Sequence, residues 1–547
     1  MKITAEQVYK EYLRGKSFFE KHGYYTRCDD SYTFYNGDQW RGLKTSGEKP
    51  PVLNVLAPIV DHKVATVSQD GITLNYSSMN YGKMRDFTSG LCEMLSQNAQ
   101  RLWEKLKMDR EIWNLATESA ICGDAFAYFF MNGDEVEYSS VDTTNVHFAD
   151  ETESDVQKQK YIIVVQRLFV EDVKKAAEIN GVKKEERELI LPDSETGKLL
   201  GDKAKRAADD ETGDGKCLCF LRMWKEGGEV HFLRSTKDVI YQPDTAVRNM
   251  KLYPLAHMVW KQEKGFSRGR GEVYGLIPNQ VEINKALARY LAVIKHCAYP
   301  HIVYNRDVVD SEEEIMRLLN TVGSVIGLDS PRMQRVEDVI GYLQPAQINP
   351  AAMEIIDDLQ KRTRDLAGAS EIATGDINPE QASGAAIIAV KDAAALPLNN
   401  QEAHLKQFSE DIARIWFDMW CAYSPEGVQA EVLNSAGQPV PMMIPAEVLG
   451  AMKLEVRVDV SPRNPYSKYA QEQALQNLLS AEYITFEEYV DSLDDDAAAP
   501  KGKLSDILAK RTAAMQQAAA EAAAFPDENA PSDGGGLESK NTYEEEN

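Results

Sequence analysis

Glycines that could cradle a phosphate, thiols that could hold a metal and carboxylates that could move protons are the first residues to weigh. Gly269-x-Gly271-x-x-x-Gly275 stands between a β-rich run and a helical one, but its last interval is one residue longer than the dinucleotide fingerprint. Gly215-Lys216 has Asp210 where a phosphate loop needs its first glycine, and Cys217 where it needs Ser or Thr. Cys217 and Cys219 fall at i and i+2, on one face of a predicted strand; zinc would need a second Cys or His pair at ligand spacing, so burial is the expectation. Neither His-Glu-x-x-His nor Gly-x-Ser-x-Gly occurs, and the eight histidines are scattered. The acidic clusters Asp494 to Asp496 and Glu544 to Glu546 lie on segments that read as exposed and solvated. No catalytic residue, metal or cofactor is therefore assigned, and the chain is not expected to be an enzyme.

The cations form a sharper pattern. Lys261 to Arg306 holds eight Lys and Arg against three Glu, a local +5 in a chain whose net charge is -25. Affinity for phosphate comes from clustered Lys and Arg, so the acidic total argues against gripping nucleic acid over the whole surface while leaving room for DNA that slides past. Lys285, Arg289 and Lys295 could touch phosphate backbones without reading sequence. Equally, this polar face could meet a neighbouring helix through pairs with Glu282.

These cations ride on a helix that must be long. After Gly269-Arg270-Gly271 the spacing of Ile283, Leu287, Tyr290, Leu291 and Ile294 predicts a helix to about Cys297, ended by Pro300. Asn349-Pro350 predicts the start of a second helix, and Gly368 its stop. Between them His301 to Pro345 suits a small α/β lobe: a strand at His301 to Tyr304, a short helix opened by Ser311-Glu312-Glu313-Glu314, another strand at Ser324 to Leu328. Ala369 to Gly384 is a polar loop with three acidic residues, Glu371, Asp376 and Glu380, and no basic one. A helix begins at Asn378-Pro379 or Ser383, and its pattern resumes after Pro397 through Leu405, Phe408, Ile412, Trp416 and Tyr423. A kink is expected at Pro397 because proline removes one backbone bond and clashes with the preceding turn.

At this point the chain resembles the portal (head-tail connector) proteins of tailed bacteriophages. The likeness rests on Asn279-Gln280-Val281-Glu282-Ile283-Asn284 of the first rod and Ser383-Gly384-Ala385-Ala386-Ile387 of the kinked helix. Tyr35-Asn36-Gly37-Asp38-Gln39-Trp40, Leu53-Asn54-Val55 and Val60-Asp61 add to it, and it spans about residues 30 to 470. The resemblance implies an α+β portal-type fold: an α/β wing body over 1–270, a first stem helix over 271–298, a small α/β clip over 299–348 and a second stem helix over 349–368. A tunnel loop over 369–384, a long kinked helix over 385–424, wing strands over 425–465, a helical crown over 466–525 and an acidic tail over 526–547 follow.

It further implies a ring, usually a dodecamer, at one capsid vertex. Lys285, Arg289 and Lys295 would line the DNA channel, and Glu371, Asp376, Asn378 and Glu380 would form the tunnel loop. Asp310, Glu312, Glu313 and Arg317 would meet the motor or tail adaptor in the clip. The implied partners are other copies of the chain, double-stranded DNA passing without sequence specificity, the terminase large subunit, major capsid and scaffolding proteins, and a tail adaptor. Virion location, with assembly in the host cytoplasm, follows from the same likeness. The competing readings are a metal-dependent phage nuclease and a structural adaptor that is not a portal.

Composition is compatible with this. At 547 residues the chain should divide into two or more packing units. It has no apolar run near the ~20 residues a membrane helix requires, and Met1 to Gln7 lacks a signal peptide's apolar stretch. Seven cysteines, an odd number, argue against a disulfide framework. Along the body, residues 1 to about 25 read as an amphipathic helix with Val8, Tyr12 and Phe19 on one side, and Lys83 to Gly123 as a long helical region with Leu91, Leu95, Leu102, Leu106, Trp113 and Ala120 buried. Phe126 to Met131, Tyr161 to Phe169 and a hairpin over Gly227-Gly228 read as strands, Lys183 to Lys216 as an exposed excursion, and Val428 to Leu433 and Leu454 to Val460 as half-buried strands. Tyr466 to Leu493 and Leu504 to Phe525 read as helices, and Pro526 to Asn547, with seven acidic residues and one Lys, as disordered.

Overall fold

A computed structural model describes residues 3–41, 50–68, 71–78, 83–133, 135–193, 215–298, 302–304, 340–342, 351–369, 395–424, 426–433, 439–451, 454–461, 475–481 and 483–493, with isolated positions between 313 and 335 and between 503 and 508. Two compact units result, residues 1–461 and 462–547.

The first unit opens with α1 (Ala5–Lys21), whose N-terminus is capped by Thr4 accepting from the Gln7 amide, and which buries Val8, Tyr12 and Phe19 along one stripe as the spacing predicts. The helix expected to about residue 25 stops at Lys21; the chain turns at Gly23 and forms α2 (Tyr24–Tyr35), then α3 (Leu56–Val67). α2 contains few strong helix formers, so burial of Tyr24, Tyr25, Cys28 and Ser31 decides its state. β1 (Gly71–Ser78) precedes α4 (Lys83–Lys105) and α5 (Met108–Cys122). The break between these helices falls at Lys107, in the left-handed region at φ 54, and Asp109 beside it accepts the Trp103 indole N–H at 2.9 Å. Trp113, expected inside, is 43% exposed, because it lies one position off the buried stripe of Met108, Ile112, Ala116 and Ala120.

An antiparallel three-stranded sheet of order β3-β2-β9 is made by β2 (Asp124–Asn132), β3 (Glu135–Val141) and the later β9 (Leu255–Val259). A five-stranded antiparallel sheet runs in chain order through β4 (Val146–Phe148), β5 (Tyr161–Phe169), β6 (Lys216–Glu226), β7 (Glu229–Ser235) and β8 (Ile240–Val247). Between β5 and β6 stand α6 (Val170–Ile179) and α7 (Lys184–Glu188). The β6–β7 hairpin closes over Gly227-Gly228, both at positive φ, the backbone that a tight hairpin of this hand requires. Alternation along β6 sends Leu218 and Phe220 toward α1, and Cys217 and Cys219 toward α6. The two thiol sulfurs are 3.8 Å apart and buried.

α8 (Ile277–Ala298) leaves the body. β10 (Ile302–Tyr304) pairs with β11 (Ile340–Tyr342), a strand the sequence did not announce, and α9 (Ala351–Leu366) returns. The anticipated strand at Ser324 to Leu328 lies outside the described residues. A 3₁₀ turn at Leu396–Leu398 feeds directly into α10 (Asn399–Tyr423). The hairpin of β12 (Val428–Leu433) and β13 (Pro439–Ile444), short α11 (Ala446–Ala451) and β14 (Leu454–Ser461) complete the unit, β14 pairing with β1 across the chain. α10 is the central pillar of the core: Phe408, Ile412 and Trp416 are fully buried, and the Trp416 ring meets Trp103 and Phe129 edge-on.

Within the second unit, Thr485 and Glu488 form a reciprocal capping box on α12 (Phe486–Asp491), whose Tyr489 and Val490 pack with Leu493, Leu475 and Leu479. The single helix expected from Tyr466 to Leu493 is thus interrupted before Thr485, which caps a new one. The acidic tail lies outside the described residues.

Candidate functional site

The glycine run Gly269-x-Gly271, one residue off the dinucleotide fingerprint, performs a different task. A Cβ on Gly269 would stand 2.0 Å from the Gly123 carbonyl oxygen, and one on Gly271 would stand 2.3 Å from that of Ile121. These glycines let two backbones cross in contact. The helix expected from residue 271 accordingly begins six residues later, at Ile277, with Pro278 in its first turn, where its missing N–H costs nothing.

α8 and α9 run antiparallel as a two-helix arm: Asn279, at the start of α8, donates to Thr363 Oγ1, near the end of α9, at 3.4 Å. Gly368 at φ 72 ends α9 with the Ala369 amide bonded to Arg364 O and its own amide to Asp365 O, a glycine stop of the kind its position predicted. Ile283, Ala367 and Ala369 pack with Val55 and Ile59 to seat the arm.

An all-amide clasp surrounds that apolar seat. Gln280 Oε1 accepts from the Val55 amide at 3.0 Å and its Nε2 donates to Leu53 O at 2.7 Å. Asn284 Oδ1 accepts from the Leu53 amide at 3.1 Å, and its Nδ2 donates to Gln39. Gln39 donates to Asn54 Oδ1 at 3.1 Å and to Phe34 O at 2.9 Å, and Asn54 donates to Tyr35 O. Gln39, Gln280 and Asn284 are buried. Tyr35 to Trp40 and Leu53 to Val55, neighbours near the start of the chain, thereby meet Asn279 to Asn284, more than 200 residues later, as one joint. No spacing rule could have found this, since each side chain alone reads as a surface amide.

Beyond the joint the arm is open. Leu291, Val293 and Met353 are exposed, Ile355 is 57% exposed and Leu366, on the returning end of α9, 76%, while Ile283 and Ile356 are buried, so the apolar side chains of both rods are covered only in part. Lys285, part-exposed, donates to Glu282 of its own helix at 2.8 Å, and this bond, with the charge of Lys285, lowers the Glu282 pKa. Arg289 and Lys295 are exposed. Glu313 and Arg317 stand at exposed helical positions, while Asp310, Glu312, Glu371, Asp376, Asn378 and Glu380 lie outside the described residues. Pro397 sits within the 3₁₀ turn before α10, and the segment 385–394 that would precede it also lies outside them.

The basic stretch from Lys261 to Arg306 is less available than the count implied. Arg268 is wholly buried, bonded to Asp124 Oδ2 and Glu151 Oε2, each at 3.2 Å, and to Val146 O at 2.6 Å, with the Phe148, Phe126 and Phe19 rings against its guanidinium. Burial opposes its charge, but Glu151 and Asp124 hold its pKa above the ordinary value. Asp124 also accepts from Tyr24 at 2.6 Å and contacts His257 Nε2 at 3.2 Å; against the cost of burial, His257 and Arg268 keep its pKa below the usual range. Lys261 is likewise taken, by Glu272, which also binds Lys63 at 2.9 Å and the Trp260 indole at 2.8 Å. These are structural ion pairs with every partner supplied by the body. Among the described residues no cluster of His, Cys, Asp and Glu suited to a metal is present, and no helix is long and apolar enough to cross a membrane.

No curated protein matches the sequence. Among solved structures, a chain of the "virion of native gene transfer agent (GTA) particle" aligns over 83% of this chain and 91% of its own length, at 11% identity and a TM-score of 0.39, too loose an overlap to add an argument. Residues 229–533, more than half of the chain and including the whole two-helix arm, match the family described as phage P22-like portal protein, and the chain belongs to that family.

Proposed function

We propose that the chain assembles side by side into a closed ring, a dodecamer in the commonest portal arrangement, at one vertex of a phage capsid, and that DNA enters and leaves through its axis. The carrying observation is the arm: two rods fixed at one end by a buried joint, with apolar side chains left uncovered on both. A half-exposed Leu or Ile gains about 1 kcal/mol when a neighbour covers it, and a ring repeats that gain at every interface. Lys285, Arg289 and Lys295 would become rings of positive charge, smooth around the axis and blind to base sequence. Glu371, Asp376 and Glu380 would present a surface that phosphates slide past. The lobe carrying Glu313 and Arg317 would dock the terminase large subunit during packaging and the tail adaptor afterwards, and the body would meet major capsid and scaffolding proteins.

An averaged electron-microscope image of the purified protein, viewed down its axis, tests the ring: a closed annulus with a central hole is expected, and a stable compact monomer overturns the reading. Glu371→Lys with Asp376→Lys is expected to leave that annulus intact while lowering the yield of packaged DNA. Unchanged yield and genome length would remove the loop from the channel.

A further inference from the structure

A groove of about 780 Å³ lies where the residues before α1, α7 and the β6-β7-β8 end of the five-stranded sheet meet. Its floor is apolar, with Trp224 and Leu233 beneath and Leu189, 58% exposed, on the lip. Its rim is acidic: Glu186, Glu226, Asp238 and Asp244 line it, and no Lys or Arg does among the described residues. Two of these carboxylates already hold partners, Asp244 with His231 Nδ1 at 2.8 Å and Glu226 accepting the Trp224 indole N–H at 3.3 Å, and the excess of negative charge in the trough remains.

We infer that this groove docks a short peptide segment of another protein, one that carries cationic side chains flanking an apolar anchor. The volume is that of a specific ligand site, with the mostly apolar lining such sites share. The rim repels nucleic acid, and it disfavours a second copy of a chain whose own net charge is -25. The sheet edge at β8 carries Pro243, which has no N–H to offer, so the groove favours side-chain docking over addition of a further strand. Nothing in this depends on the channel; the site belongs to the body, and its partner would be held while the arm works independently.

The test uses the full chain in its assembled state and a fluorescein-labelled peptide of three Lys-Leu-Leu-Lys repeats, read by anisotropy at physiological ionic strength. Asp238→Lys with Asp244→Lys is expected to weaken binding by roughly tenfold, and Leu189→Ser, an exposed change that cannot unfold the body, by several-fold. Glu93→Lys with Glu104→Lys, the same change of charge on exposed positions of α4, is expected to leave affinity within about twofold. Equal weakening by the two double variants, or equal binding of a Lys-Ser-Ser-Lys peptide, means diffuse attraction and overturns the proposal. A shift in subunit number with Asp238→Lys and Asp244→Lys makes the groove a contact between copies and overturns it as well.

Discussion

The core around α10 and the two-helix arm are built from similar residues and finish in opposite conditions. Around α10, Trp416 and Ile412 are sealed, and even a guanidinium is enclosed, because Asp124 and Glu151 come from other elements of the same chain to meet Arg268. On the arm, Ile355 and Leu366 stand in solvent, and Lys285 pairs with Glu282 and Arg362 with Asp358, each within its own helix. The core closes on its own chain, whereas under the proposed ring a neighbouring copy would cover the arm.

The sharpest way to break this contrast is Arg268→Leu, which strands two buried carboxylates. A loss of about 3–5 kcal/mol is expected in urea unfolding, and a loss below ~1 kcal/mol would mean the body does not depend on its ionic centre. Gln280→Ala tests the joint between the regions: leaving the Val55 amide and Leu53 carbonyl unpaired should cost about 1–3 kcal/mol and speed hydrogen exchange at the start of α8 ahead of the rest.

Acidity separates the regions next. Glu118 of α5 has its pKa pushed up to about 8 by burial, with Asp142 and Asp124 adding to the rise. Between its ordinary 4.5 and 8 the folded chain holds a proton that the unfolded chain has released, so stability falls as pH rises through that window. Glu118→Gln should therefore stabilise the body at pH 8 by roughly 1–2 kcal/mol, less than the full shift implies because the side chain is partly open to solvent, and should do nothing near pH 4. A pH-independent effect would remove ionisation as the cause. Smallest in stability is Ile355→Ser with Leu366→Ser, expected within about 0.5 kcal/mol in unfolding, yet expected to shift sedimentation from ring to smaller species. If the species distribution stays fixed, the stripe is not a subunit contact.

Local rules made much of this legible. β5 follows from its run of β-branched residues, the β6–β7 hairpin from a glycine pair, and the stop of α9 from Gly368, because the information for each is contained in a few neighbouring residues. α2 and the β1–β14 pairing were not legible, since burial by distant segments decides them. The basic stretch was overcounted for the same reason: the acids that consume Arg268 lie 144 and 117 residues away in sequence. At the candidate site the strings that carried the family likeness were visible as strings, but their convergence on one joint was not. Glu371, Asp376, Asn378 and Glu380 remain readings of composition.

Gln39, Asn54, Gln280 and Asn284 contain no group that ionises and carry no formal charge. A hinge made of such amides gives protons nothing to bind and counterions nothing to shield. Salt or acid that retunes the charged surfaces around it therefore finds nothing in these amide hydrogen bonds to screen or protonate.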